Sequence, residues 1–297
     1  MPTPEKYQPK YPIYILSKGR YDYRHTMIAL DNLGVDYKVA IEPQEYDQYV
    51  EHIPDNRLVV LPFSNHGKGS GPARNYVWDH SIEAGHKRHW VLDDNIQQFW
   101  RFHKNKRYRA ESGAIFRAAE DFVDRYENVP LAGFQYKWFC PEHYWHPPFM
   151  LNTRLMSCIL IENNCPQRWR AKYNEDVDLS IRVLKDGYCT MLFYAFLQGK
   201  MRTGILKGGN TDEVYKGYND EAFAKSKMLV DLHPDCVKLV RRYGRWHHHV
   251  DISKFRNNKL ILKEGLNIPK GINEYGMKLV QDFELETQRD ANKDWGW

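Results

Sequence analysis

The sequence has no Cys-x-x-Cys pair, and its five cysteines (Cys140, Cys158, Cys165, Cys189 and Cys236) are odd in number. That pattern argues against a disulfide framework and for reduced thiols in a cytosolic compartment. No apolar run approaches the length of a membrane span, and the N-terminal Met-Pro-Thr-Pro-Glu-Lys lacks a signal-peptide core. A soluble, cytoplasmic protein with no membrane partner is therefore expected. Internal repeats and low-complexity tracts are missing too, which excludes solenoid architectures. The excess of one charge sign is small: a formal net charge of +5 allows a polyanionic partner without demanding one.

Aromatic residues are plentiful instead. They make up 14% of the 297 residues, with 20 Tyr and 9 Trp, and hydrophobic residues make up 42%. Such a chain can bury a substantial core as one large domain, or as one domain with an extension. Some of these rings are candidates for stacking surfaces, although apolar core is their commoner use.

The run Tyr11-Pro-Ile-Tyr-Ile-Leu16 reads as a strand, followed by the polar Ser17-Lys-Gly-Arg20 and a helical spacing through Met27, Ile28, Leu30 and Leu33. Strand, polar turn and helix open a nucleotide-binding α/β unit. Further strands are predicted over 37–41, ending at Glu42, and over 58–61. A helix follows from about Pro72 to Ala84, and a strand over 88–93 runs into Asp93-Asp94-Asn95. Alternation of strand and helix predicts a mostly parallel sheet with right-handed crossovers. Trp100 to Arg109 reads as a basic, aromatic loop. Beyond it come a helix over 114–126, strands over 156–161 and 188–196, and between those a helix opening at Tyr173-Asn-Glu-Asp-Val-Asp178. Residues 199–210 form a glycine-rich loop. Helical periodicity is read over both 221–232 and 234–243, ahead of His247-His248-His249.

Two adjacent acids at the carboxyl edge of a sheet repel each other unless a cation or proton lies between them. Oxygen-only ligands favour Mg²⁺ or Mn²⁺, which in turn favour a diphosphate. The simpler alternative for Asp93-Asp94-Asn95 is an Asx turn capping the next helix. Ser17, Arg20, Glu42, Arg74 and Asn75 fall at neighbouring strand ends, where they supply phosphate donors and a base or ribose acceptor. The 67–71 turn brings backbone N–H groups toward a phosphate. It matches neither the P-loop ending Gly-Lys-Ser/Thr nor the dinucleotide fingerprint. Capping is the simple reading of Glu175, Asp176 and Asp178, since acids in a first turn suit the helix dipole.

Four blocks carry a resemblance: Ile13-Tyr-Ile-Leu-Ser-Lys-Gly-Arg20, Gly71-Pro-Ala-Arg-Asn75, Trp90-Val-Leu-Asp-Asp-Asn95 and Asn174-Glu-Asp-Val-Asp178. Together they resemble a GT-A-fold glycosyltransferase, and most closely the TET-associated glycosyltransferases of bacteriophages, over roughly residues 10–250. The resemblance implies a Rossmann-type α/β fold with a mixed, mostly parallel sheet flanked by helices. It also implies transfer of a sugar from a nucleotide donor, a UDP-sugar, onto a 5-hydroxymethylpyrimidine in phage DNA within the infected host's cytoplasm. Residues 1–215 would be the transferase domain and 216–297 a mainly helical C-terminal extension. Asp93 and Asp94 would meet the metal, and one of the late histidines, His248, would complete its shell. The third member of Asp93-Asp94-Asn95 departs from the usual Asp-X-Asp, which leaves open whether one acid or both touch the ion. Asp176 would be the base, with Asp178 in reserve.

Lys104, Lys106, Arg107 and Arg109, interleaved with Trp100 and Tyr108, suit phosphate contact and base stacking. Arg168, Arg170 and Lys172 would extend that track, and Trp138, Phe139, Tyr144 and Trp145 would line a pocket for an extruded nucleotide. Three rivals remain. One is a glycosyltransferase acting on a glycan or protein. Another is a sugar-phosphate nucleotidyltransferase, for which Ser17-Lys-Gly-Arg20 is too short a loop. The last is a non-catalytic nucleic-acid-binding module, which gives no reason for two separate acid pairs.

Overall fold

A computed structural model describes residues 4–201, 220–242, 244–267, 275, 277, 280 and 281. Its first half runs β1 (Ile13–Leu16), α1 (His25–Asn32), β2 (Lys38–Ile41), α2 (Tyr46–Val50), β3 (Leu58–Val60), α3 (Gly71–Glu83) and β4 (Arg88–Asp93). These strands lie in the parallel order β3-β2-β1-β4. The register sets the site: Leu16 pairs with Asp93 and with Ala40, so Ser17, Glu42 and Asp94 emerge at one edge.

The sheet continues through β5 (Ile96–His103), β6 (Lys106–Arg109), β7 (Leu131–Tyr136), β8 (Phe149–Leu151), β9 (Cys158–Glu162), β10 (Thr190–Lys200) and β13 (Val280–Gln281), with α4 (Ala114–Val123) and α5 (Glu175–Lys185) between them. β9 runs antiparallel between β4 and β7, and β10 is parallel to β7. The end of β10, at Lys200, therefore returns to the edge that carries Asp93. Most strands share one direction, with β5, β8, β9 and β13 reversed. This is the mixed, mostly parallel sheet flanked by helices that the GT-A resemblance implies.

Both faces of the sheet are covered. On one, Trp90, Phe99, Phe116 and Phe134 pack ring against ring, the Trp90–Phe134 centroids lying 5.0 Å apart. On the other, Tyr14, Trp78, Val91 and Trp169 are buried under α3 and α5. All five cysteines are buried and free. No described helix is long and apolar enough to cross a membrane.

Two expected elements differ. The basic loop of residues 100–109 is the hairpin β5–β6, turned by Lys104 and Asn105 at φ 48° and 58°, the left-handed pair that a two-residue hairpin turn needs. Trp100 and Phe102 turn to one face against Cys140 and Leu197, a face shared by their cross-strand partners Arg109 and Arg107, while Arg101 between them donates to Phe102 O and Ala195 O. The helix expected over 234–243 is strand β11 (Val237–Arg242), paired antiparallel with β12 (Arg245–Val250). Val237 and Val250 bury against Leu229 of α6 (Asp220–Leu232), and that packing overrides the helical spacing. Residues 202–210 of the glycine-rich loop, and Tyr243, lie outside the described residues.

His89 on β4 supplies a stability prediction. It is fully buried with Nδ1 2.6 Å from the Asn163 amide oxygen and Nε2 unpartnered. Burial above all pushes its pKa down, to about 3, with Arg168 and His86 adding to the effect against the Asn163 bond. A histidine with a depressed folded pKa costs stability as pH falls below its unfolded value, because only the unfolded chain takes the proton. Between about pH 6.5 and 4.5 the loss should be on the order of 3 kcal/mol. Denaturant melts of wild type and His89→Gln across that window check it; parallel curves would show that His89 takes up a proton in the fold.

Candidate active site

The turn after β4 is held from below. Thr26, in the first turn of α1, donates its hydroxyl to Asp93 O at 2.6 Å and its N–H to Asp94 O, and its Oγ1 accepts from Ile96 N at 2.8 Å. No helix follows the turn, so capping does not account for Asp93-Asp94-Asn95; the chain enters β5 directly.

Asp93 accepts from Arg74 Nη2 at 2.9 Å, from Ser157 Oγ at 2.7 Å and from Lys200 Nζ at 2.5 Å. Burial opposes its ionisation, but Lys200 and Arg74 outweigh that and hold its carboxyl well below the usual range. Asp94 accepts from the Arg20 guanidinium and from Ser17 Oγ at 3.0 Å. Here burial wins: its pKa is raised, with Asp93 adding to the effect and Arg20 opposing it. Ser157 reaches Asp93 from a left-handed backbone at φ 65°, a strained conformation of the kind that persists where the surroundings fix it.

A second acid pair approaches from α5. Glu175 accepts from Ser70 Oγ at 2.6 Å and lies 3.4 Å from Arg74 Nε. Asp176 is half-buried, and among the described residues its carboxylate accepts only from Val177 N, at 2.8 Å. Burial first, then Glu175, pushes its pKa upward. Arg74, 3% exposed and 4.7 Å from the Trp169 ring, thus lies between the two acid pairs. Loop 67–71 wraps this junction closely. A Cβ on Gly69, at φ 74°, would lie 2.3 Å from Lys172 O, so no other residue fits there.

These groups border one cleft of about 800 Å³, whose lining includes Ser17, Arg20, Glu42, Arg74, Asp93 and Asp94, together with Asp176 and His248. Glu42 accepts from Lys18 Nζ at 3.0 Å, Gln44 Nε2 at 2.6 Å and Asn65 N at 2.9 Å. Two buried polar atoms of this lining have no partner among the described residues: Arg74 Nη1, a donor, and Asn95 Oδ1, an acceptor. An oxygen-rich ligand with hydroxyls answers both. The paired carboxylates are oxygen-only donors of the kind that hold a hard divalent ion. Asp93, Asp94 and His248, however, do not bring three donor atoms within 4.8 Å of one another; among the described residues only His233, Asp235 and Cys236 do. Asp93, Asp94 and His248 therefore do not by themselves enclose an ion.

Several sequence candidates lie elsewhere. Asn75 clamps the Trp169 backbone through Nδ2 at 2.8 Å and Oδ1 at 3.1 Å. Asp178 is fully buried away from the cleft, bound by Arg170 Nη2 at 3.0 Å, Arg182 Nε at 2.9 Å and His233 Nε2 at 2.9 Å. Arg170 is thereby paired, and Arg168 is paired with Asp79. Lys104, Lys106, Arg107 and Arg109 belong to the β5–β6 hairpin and do not line the cleft, nor do the exposed Tyr144 and Trp145. Trp138 and Phe139 do line it.

Lys200, Ser157 and Tyr49, which bond Asp93 or Ser17, were not singled out in the sequence. Lys200 ends β10, three places along the sheet order from β4 and far from Asp93 in the chain, so no local pattern marks it. Tyr49, whose hydroxyl is 2.6 Å from Ser17 Oγ, comes from the short α2, which carries no strong periodicity.

A family model described as TET-Associated Glycosyltransferase matches residues 11–210, which include both acid pairs and Lys200. No curated protein matches the chain. Among solved structures, a protein assigned as a nucleotide-diphospho-sugar transferase from Desulfovibrio desulfuricans G20 is 11% identical with a TM-score of 0.35, over 63% of this chain and 80% of that one. GalNAc-T7 with UDP, GalNAc and Mn2+ is 10% identical with a TM-score of 0.44, over 97% of this chain and 58% of that one.

Proposed function

The chain belongs to the TET-associated glycosyltransferase family, and from that premise we propose that it moves a sugar from a UDP-sugar onto a 5-hydroxymethylpyrimidine in phage DNA. One observation carries the donor half of this reading: both acid pairs face one cleft, with Arg74 between them and an unused N–H on Arg74. Breaking the bond between anomeric carbon and diphosphate leaves negative charge on the departing nucleotide, and Arg20 after β1, Arg74 in the first turn of α3 and Lys200 at the end of β10 are the cations beside the acids to meet that charge. Asp93 and Asp94 are the residues that would hold Mn²⁺ or Mg²⁺, which when bound supplies Lewis-acid charge at the diphosphate. Ser17, Glu42 and Lys18 offer polar contacts to the nucleoside.

The acceptor hydroxyl forms the new bond to the anomeric carbon and gives its proton to Asp176. Asp176 is suited to this because, among the described residues, it is the acid of the two pairs with no cation bonded to it. A single displacement of this kind inverts the anomeric centre. The exposed rings of Trp138 and Phe139 at the cleft support an acceptor that stacks.

Mass spectrometry of hydroxymethylcytosine DNA incubated with a panel of nucleotide sugars tests the whole reading. One added sugar residue per modified base is expected, with one donor preferred. Sugar appearing on a glycan or protein acceptor, with the DNA unmodified, would overturn the acceptor assignment and leave the donor site standing.

A further inference from the structure

We propose that the two-stranded ribbon β11–β12, beyond the segment matched by the family model, is the surface that docks duplex DNA and delivers its major groove to the cleft. The proposal rests on the DNA-acceptor reading above.

Residues 237–250 contain Lys238, Arg241, Arg242, Arg245 and three histidines but no Asp or Glu. Side chains alternate across a ribbon, so its faces can be read from the pairing. On one face Val237 and Val250 are buried with Leu229, and Trp246 meets Phe223 at 5.6 Å, so that face lies on α6. The opposite face carries the pairs Lys238–His249, Val240–His247 and Arg242–Arg245. Val240, Arg242, His247 and His249 of this face line the cleft, as does His248 of the other face. Lys238, Arg241 and Arg242 are exposed and make no ion pair among the described residues.

Position assigns the ribbon to the acceptor. Val177 shares a buried cluster with Val237 and Val250, so the ribbon packs on α5 beside Asp176, the group that takes the acceptor's proton. Three other cations of the cleft, Arg20, Arg74 and Lys200, are already bonded to Asp93 and Asp94. Size and charge then favour duplex. Six residues per strand span about 20 Å, and a two-stranded ribbon fits the major groove, about 12 Å wide, into which a 5-hydroxymethyl group projects. Lys238, Arg242 and Arg245 share the face away from α6 and Arg241 is exposed near the turn, a spread of charge that suits the phosphates flanking a groove and exceeds what a single diphosphate needs. On the β5–β6 hairpin, by contrast, the charges do not line the cleft, and Arg168 and Arg170 are neutralised by Asp79 and Asp178.

The test compares full-length wild type with Lys238→Gln/Arg241→Gln/Arg242→Gln and with Lys104→Gln/Lys106→Gln/Arg109→Gln, using fluorescence anisotropy on a hydroxymethylcytosine duplex at several salt concentrations. The ribbon variant should bind at least about tenfold more weakly at low salt, and its salt slope should fall by roughly 0.9 for each phosphate no longer neutralised. The hairpin variant should stay near wild type. Should the ribbon variant melt early, the single changes Lys238→Gln and Arg241→Gln, both at exposed positions, carry the same slope measurement. Unchanged duplex affinity, or an equal loss in the hairpin variant, would overturn the ribbon while leaving the DNA reading intact. Tighter binding of the wild type to single-stranded RNA or to phosphatidylserine vesicles would overturn the duplex as partner. A wild type that modifies no hydroxymethylated DNA would instead bring down the function proposed above.

Discussion

Asp94→Ala should abolish turnover and with it the dependence of donor binding on a divalent ion. Asp94 is 6% exposed and its contacts are Arg20 and Ser17, so the substitution removes a charge from the cleft floor without touching the sheet's core. Truncating one partner of a buried ion pair also leaves the other charge uncompensated, at about 3–5 kcal/mol. Arg20 retains a side-chain exposure of 12%, so the actual loss should fall below that range. Asp94→Asn separates the two effects, because it keeps the side-chain shape while weakening the ion's ligand. Both variants should be folded by circular dichroism, and calorimetry with Mn²⁺ and a nucleoside diphosphate should show the heat of ion binding lost in each. Wild-type rates in either variant, or undiminished activity of the native protein in excess chelator, would remove the metal role.

The legibility of Asp94 in the sequence has a physical origin. Strand β4 is buried on both faces, so Trp90-Val-Leu reads as a continuous apolar run, and the acids mark where it meets solvent. The same logic exposed β1, β2 and β3, since parallel strands joined by helices leave a strong local pattern. The ribbons beyond the acids were not legible. In β5–β6 and β11–β12 polar and apolar residues mix on both faces, so basic residues among rings read as a loop over 100–109, and 234–243 reads with helical periodicity. Only pairing with a distant strand, or burial of Val237 and Val250 on α6, decides those segments. Lys200 was hidden for a related reason. The sheet order puts the eleven-residue β10 beside β7 and β5, and its last residue reaches Asp93 across 107 positions of chain. Charge complementarity at such a separation leaves no spacing to read.

Asp176 and Asp178 are two acids in one helical turn, Asp176 implied as the base by the resemblance and Asp178 held in reserve, and their surroundings differ. Asp178 is fully buried beneath Arg170, Arg182 and His233, with its pKa lowered to about 2; burial opposes that shift, and His233, Arg170 and Arg182 overcome it. Its carboxylate therefore contributes stability above the unfolded carboxylate range, and that contribution is lost as pH falls toward 2. Asp178→Asn should lower stability by about 3 kcal/mol, because it strips charge from a buried network, while the folded fraction keeps turning over. Asp176→Asn should do the reverse. It retains the shape and much of the hydrogen bonding, yet cannot accept the acceptor's proton, so the rate should drop by about 10²–10⁴-fold with melting temperature, donor affinity and duplex affinity near wild type. The pH profile adds a readout that scaffolding would not move. Burial and Glu175 both raise the Asp176 pKa, so the acidic limb of kcat/KM should lie above that of an exposed aspartate, and Glu175→Gln should shift it to lower pH. An inactive Asp178→Asn protein of normal stability beside an active Asp176→Asn would move the base two residues along, and normal rates in both would take α5 out of the chemistry.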